Sequence, residues 1–287
     1  MKSKLLSIIL ISICILSFRS DKLAYQIYDI KGKTSSYEQL LKSAKDADII
    51  LFGELHNNPI CHWLQIELTK DIYEFKKDNL VLGAEMFEAD DQIALTEFLL
   101  GKISDKTLKD EVKLWPNYTT DYKPLLMFAK EKHLPFVAAN IPRRYANMVY
   151  NKGLERLDSL DPEAKRWIVP LPMKYNANLK CYDDICEAAE GHNSENLPKS
   201  QAVKDATMAY FILKNWTEGK TFIHYNGSYH SNNHQGIEWY LKQENPNLKI
   251  FTIGSTEQTA IDTLAKADIG LADYIICTPE SMTKTQQ

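Results

Sequence analysis

Short apolar runs recur along the chain, and most are followed by a segment whose apolar residues return every three or four positions. Residues 49–52, 80–87, 135–140, 221–226, 249–253 and 274–276 are rich in Ile, Leu, Val and Phe, the pattern of strands buried on both faces. After Pro59 the spacing changes: Ile60, Trp63, Leu64, Leu68 and Ile72 share one helical face, which predicts a helix to about residue 77. Helices are also expected over 37–45, 93–99, 123–132, 202–216 and 235–242, with Asp90 and Asp91 at an acidic helix start and Pro142 opening another. Residues 101–130 read as helical but broken at Trp115-Pro116-Asn117-Tyr118, because proline keeps the residue before it out of helical geometry. Strand alternating with helix predicts an α/β fold, a three-layer α/β/α arrangement around a mainly parallel central sheet. The remainder of residues 21–46 reads as a surface lead-in. Pro162, Pro170, Pro172 and Pro198 punctuate the least regular stretch. The expectation is a single domain over 21–287 with a helical cap or insertion at about 101–200.

The first twenty residues stand apart. Lys2 and Lys4 precede an apolar run over 5–18 that stops at Arg19-Ser20-Asp21, too short to span a bilayer comfortably and read as a signal peptide. An uncleaved anchor is the competing reading, and Cys14 behind Ile13 makes a weak lipoprotein signal. The expected location is therefore exported, either periplasmic or lipid-anchored. A hydrophobic content of 44% over 287 residues suffices for one large core. A net charge of -4 and a pI near 6 lack the basic excess of nucleic-acid binders, so no nucleic-acid partner is expected. Export would favour a local disulfide between Cys181 and Cys186; a lone C-x4-C is a poor zinc signature. Cys61 and Cys277 read as buried small hydrophobes.

Two similar turns carry the candidate chemistry. Gly53-Glu54-Leu55-His56 and Gly227-Ser228-Tyr229-His230 each follow a buried strand, and Glu85 ends another. In a parallel sheet all three would emerge on the edge where open α/β folds place their ligands. Glu54, His56, Glu85 and His230 could form an acid–base catalytic set, and His56, Glu85 and His230 could hold a divalent metal. The plain alternative is turn residues capping the next helix, a role for which histidine is poorly suited. His62 and His234 read as solvent-facing, with a supporting place behind the site residues as the alternative; His224 reads as a satisfied core residue, His133 and His192 as surface or loop residues.

A second group runs from Trp115 to Pro124 and continues in Arg143, Arg144 and Tyr145. Aromatic cover, phenols and cations are what haem requires: its propionates take Arg or Lys, and ferric iron accepts a phenolate. By composition alone the same residues read as a helix–loop–helix core with a basic patch. No G-x-S-x-G, Walker, H-E-x-x-H or G-x-G-x-x-G pattern occurs, so the serine-esterase, nucleotide-hydrolase, zincin and dinucleotide readings lack support.

Five ordered blocks together resemble the ChaN-like haem-binding uptake family: Gly53 to Pro59, Ala84 to Glu88, Pro116 to Pro124, Asn140 to Arg143 and Tyr225 to His230. The resemblance runs over about residues 45–255. It implies an α/β/α sandwich, an exported or lipid-anchored protein, and a role in bacterial haem and iron uptake. It also implies homodimers enclosing stacked haems, an outer-membrane haem receptor as a further partner, and tyrosine as iron ligand. Carried onto this chain, the ligand candidates are Tyr118, Tyr122 and Tyr145, with Lys123, Arg143 and Arg144 beside them. The same fold group includes erythromycin-esterase-like hydrolases and the TraB/Tiki group, whose G-x-x-H pairs and glutamate look like a metal or catalytic centre. A metal-dependent hydrolase, esterase or peptidase, using Glu54, His56, Glu85 and His230 thus stands as the alternative function.

Overall fold

A computed structural model describes residues 22–188 and 195–285. The segment read as a signal peptide, Cys14 and His192 lie outside those residues. The chain runs β1 (Gln26–Asp29), β2 (Thr34–Ser35), α1 (Tyr37–Ala44), β3 (Ile49–Glu54), α2 (Pro59–Lys76), β4 (Leu80–Glu88), α3 (Gln92–Leu99), α4 (Asp105–Glu111), α5 (Lys123–Lys132) and β5 (Phe136–Asn140). It continues through α6 (Arg143–Lys152), α7 (Pro162–Lys165), α8 (Lys180–Ala188), α9 (Leu197–Asn215), β6 (Thr221–Gly227), α10 (Ile237–Glu244), β7 (Ile250–Gln258) and β8 (Tyr274–Pro279).

The strands form one sheet in the order β2-β1-β8-β7-β3-β6-β4-β5. From β8 to β5 every neighbouring pair is parallel; β1 and β2 join antiparallel at the far edge. Successive residues of a strand face opposite sides, and both sides are covered. Ile50, Phe52, Leu82 and Ile223 pack with Leu64 and Leu68 of α2 and Leu125 and Leu126 of α5. Ile49, Leu51, Val81 and Phe222 pack with Ala209 and Ile212 of α9 and Leu241 of α10. Helix, sheet, helix is the expected three-layer α/β/α order, and burial on both faces is why these strands lack alternation.

Three differences have physical causes. The lead-in contains the strands β1 and β2, and Ile27 and Tyr28 are buried. Gln-Ile-Tyr-Asp is too short to announce itself, and its conformation comes from pairing with β8. Helix α9 begins at Leu197 rather than near 202, since Pro198 is tolerated in a first turn. Cys181 and Cys186 are free, the first buried and the second exposed. Both lie on α8, where five residues turn the chain by about 140°, so their side chains diverge.

The β3–α2 turn is tied down by Asn58, which is fully buried. Its Oδ1 accepts from the Ile60 and Cys61 amides at 3.0 and 3.3 Å, and its Nδ2 donates to Glu257 and Thr278 at 2.9 and 2.8 Å. We expect Asn58→Ala to lower stability by about 1 kcal/mol, the usual worth of such a cap, as read by urea unfolding.

Candidate functional site

Strands β3 and β6 are adjacent and in register, Gly53 beside Asn226 and Glu54 beside Gly227. The two G-x-x-H turns therefore leave the sheet side by side at its carboxyl edge. Glu85 reaches the same place by another route. Strand β4 continues past it to Glu88, and its pairing with β5 shifts between Ala84 and Glu88. That irregularity turns the Glu85 carboxylate towards β6, where Oε2 accepts from the Gly227 amide at 2.7 Å and Oε1 meets His230 Nε2 at 3.1 Å.

His56, Glu85 and His230 line one cavity of about 430 Å³, within the range of about 300–1,000 Å³ usual for small-molecule sites. The wall opposite the strand ends comes from α6 and α9, including Arg143, Tyr150, Gln201 and Lys204. Trp115 and Tyr229 complete the rim, Tyr229 with 43% of its surface exposed. Gly227 separates the two imidazoles: a Cβ there would lie 2.7 Å from His56 Nε2.

His56 is held from behind. Its Nδ1 meets Glu54 Oε1 at 2.9 Å, and the other oxygen of that buried carboxylate accepts from Gln65 Nε2 at 2.5 Å. Tyr122 donates to Glu54 Oε1 at 2.8 Å. Asn117 donates to the His56 carbonyl at 2.8 Å, and the Trp115 ring stands edge-on to the imidazole at 4.8 Å. Burial opposes charging of His56, but the Glu54 hydrogen bond and the charges of Glu85 and Glu54 outweigh it and raise its pKa.

His230 sits between two carboxylates, Glu85 on Nε2 and Asp205 of α9 on Nδ1. Burial again opposes the charge, and Glu85 and Asp205 override it, lifting His230 to about 9. Although burial alone would raise Glu85, the His230 charge and hydrogen bond hold it well below the ordinary carboxylate range. Asp205 is raised, chiefly by its burial.

This arrangement does not fit the expected divalent metal at His56, Glu85 and His230. Both ring nitrogens of His230 are engaged by carboxylates, which leaves neither turned to a cation shared with His56. Among the described residues no group of three or more His, Cys, Asp or Glu side chains is placed to hold a metal ion.

The phenols and cations of the second constellation separate. Tyr118 and Tyr122 flank a single π-turn and point into the core, 2% and 1% exposed. Burial, then Asp105 beside Tyr118 and Glu54 beside Tyr122, push both phenols far above their ordinary pKa. Tyr145 packs with Ile141 and Val149 under the Arg144 guanidinium. Lys123 pairs with Asp105 at 2.9 Å and Arg144 with Asp90 at 2.7 Å. Of these six residues Arg143 alone lines the cavity.

The other histidines also differ from expectation in part. His62 is buried, not solvent-facing, bonding the His56 carbonyl at 3.1 Å and Gln65 at 3.2 Å. His224 is buried as expected, and burial pushes it down to about 4, so it stays neutral. His234 is half-buried and meets Glu238 at 3.1 Å. His133 ends α5 in a left-handed conformation.

Sequence reasoning missed Gln65, Gln201, Lys204 and Asp205, and gave Tyr229 no role. Asp205 left a signal, an acid on the same helical face as Ala202 and Ala209. An acid on an apolar stripe is seldom buried without a partner.

A model of the family described as "Haem-binding uptake, Tiki superfamily, ChaN" matches residues 40–241. Among solved structures, ChaN of Campylobacter jejuni, described as binding haem cofacially, superposes with a TM-score of 0.63 at 19% identity, over 88% of this chain and 96% of that one. An erythromycin esterase, EreC, in its open conformation superposes with a TM-score of 0.51 at 11% identity, over 92% of this chain and 99% of that one. At these identities the likeness is one of fold. Comparison with curated protein sequences finds no match.

Proposed function

Since the chain belongs to the haem-binding uptake family of the Tiki superfamily, ChaN, we propose that it binds haem at the mouth of the strand-edge cavity, with Tyr229 as iron ligand. The observation that carries this reading is the Tyr229 phenol, 43% exposed at the rim of a cavity that also presents Trp115 and Arg143. An exposed phenol can be reached by ferric iron at the cavity mouth, whereas Tyr118 and Tyr122 are shut into the core. Trp115 supplies aromatic cover and Arg143 a propionate partner. A haem seated on a surface phenol keeps its other face open, which suits cofacial pairing with the haem of a second copy, the arrangement named for the Campylobacter jejuni protein. Export to the periplasm or a lipid anchor, passage of haem from an outer-membrane receptor, and a part in iron acquisition complete the proposal.

Titration with ferric haem tests it. Wild type is expected to show a phenolate-to-iron charge-transfer band. Tyr229→Phe should remove that band and weaken binding by at least about tenfold, while Tyr118→Phe and Tyr122→Phe keep the band. A band that survives Tyr229→Phe and vanishes in Tyr122→Phe would return the ligand to the buried phenols.

One observation favours a hydrolytic reading of the same cavity. Glu54 fixes His56 by Nδ1 and leaves Nε2 towards the cavity, the disposition of a general base. On this reading Glu54 orients the ring, and His56 takes a proton from the water that attacks the ester or amide carbonyl and returns it to the leaving oxygen or nitrogen as that bond breaks. No step passes through a metal. Turnover in an ester and amide screen that is lost in His56→Ala and insensitive to chelators would support it.

A further inference from the structure

We propose that Lys204 of α9, together with Arg143 of α6, forms the anchor of the cavity for an acidic group, so that the site selects ligands carrying a singly charged carboxylate. The inference rests on the cavity being the ligand site proposed above, and it names a residue and a selectivity which that reading leaves open.

Leu197, Gln201 and Lys204 recur at intervals of four and three along α9, one helical face, and all three line the cavity. Lys204 is half-buried there, yet among the described residues no hydrogen bond or ion pair reaches its ammonium. Lysines withdrawn from water are almost always paired. The neighbouring cations are already engaged: Lys123 by Asp105, Arg144 by Asp90 and His230 by Glu85. Arg143 is held only loosely, its Nε 4.0 Å from Glu88 and its side chain 52% exposed. Two cations on the same wall therefore remain for a ligand.

The charge of that ligand follows from the rest of the lining. Glu85 and Glu88 also face the cavity. With Glu85 paired to His230, Glu88 alone stands against Arg143 and Lys204, which leaves one positive charge on the wall and matches a ligand group with a single negative charge rather than a phosphate dianion. A carboxylate matches both the charge and the bidentate reach of a guanidinium.

Paired ligands that differ only in the acid test this. Wild type should bind ferric haem about tenfold or more tighter than ferric haem dimethyl ester, a charge-assisted hydrogen bond being worth at least that much. Lys204→Met should remove most of that preference and leave the affinity for the ester unchanged, and Lys204→Arg should restore it. A preference of equal size in wild type and Lys204→Met, or none in wild type, overturns the anchor while leaving haem binding intact. If wild type binds neither porphyrin, haem binding itself fails. The anchor is then read with 8-anilinonaphthalene-1-sulfonate against the uncharged N-phenyl-1-naphthylamine. A sulfonate preference lost in Lys204→Met supports it, and equal binding in both proteins overturns it.

Discussion

Replacing His230 with alanine is expected to lower the free energy of unfolding by about 3–5 kcal/mol, the usual loss when one member of a buried ion pair is removed. Glu85 and Asp205 are 6% and 0% exposed, and both lean on the same imidazole. Without it, Glu85 keeps the Gly227 amide but loses the charge that holds it ionised. It must then take up a proton or draw in water. His230→Ala with Glu85→Gln should recover part of the loss, because the unpaired charge has gone. Urea unfolding at pH 7 measures both; a His230→Ala loss below about 1 kcal/mol would mean that the triad contributes nothing net. The wild type carries a matching pH dependence. His230 titrates near 9 in the folded chain against about 6.5 unfolded, so its stabilisation is complete below about 6.5 and is lost as pH rises through 9. Glu85, held low, gives up its share only in acid. Stability should therefore fall between pH 7 and 10 in wild type and stay flatter in His230→Ala.

The meeting of His56 and His230 was legible because β3 and β6 are buried apolar runs ending in the same four-residue pattern, and parallel strands deliver such turns to one edge. The direction of Glu85 was not legible. It depends on the register shift between β4 and β5, a property of two strands about fifty residues apart. Nor did the sequence reveal that Tyr122 turns inward to Glu54, 68 positions away, through a π-turn that periodicity does not announce. The aromatic and basic block was recognised as a composition, but composition does not say which cations are already paired. Arg144 and Lys123 are held by Asp90 and Asp105, whereas Lys204, on a helix to which the sequence assigned no functional residue, faces the cavity. Local patterns thus fixed the sheet and its active edge, while long-range pairing decided which side chains of that edge face a ligand.

Gly227→Ala is expected to destabilise the chain by about 1–3 kcal/mol and to dislodge His56, a consequence of space rather than of backbone freedom. Gly227 has φ -60° and ψ 144°, angles open to any residue. A Cβ there would stand 2.7 Å from His56 Nε2, 2.8 Å from its Cε1 and 3.5 Å from Glu85 Oε2. The strand backbone on one side and the Glu85 hydrogen bond on the other leave the imidazole as the group that can move. Movement breaks its bond to Glu54, whose carboxylate then keeps Gln65 and Tyr122, with His62 Nδ1 at 3.7 Å. If this clash is the cause, Gly227→Ala should lose most of its cost in a His56→Ala background, a coupling of at least about 1 kcal/mol between the two positions. Additive losses would place the strain elsewhere. The same variant separates the two uses of the cavity. Hydrolysis that depends on the fixed Nε2 of His56 should disappear, whereas a haem spectrum that depends on Tyr229, two residues on and exposed at the rim, should persist.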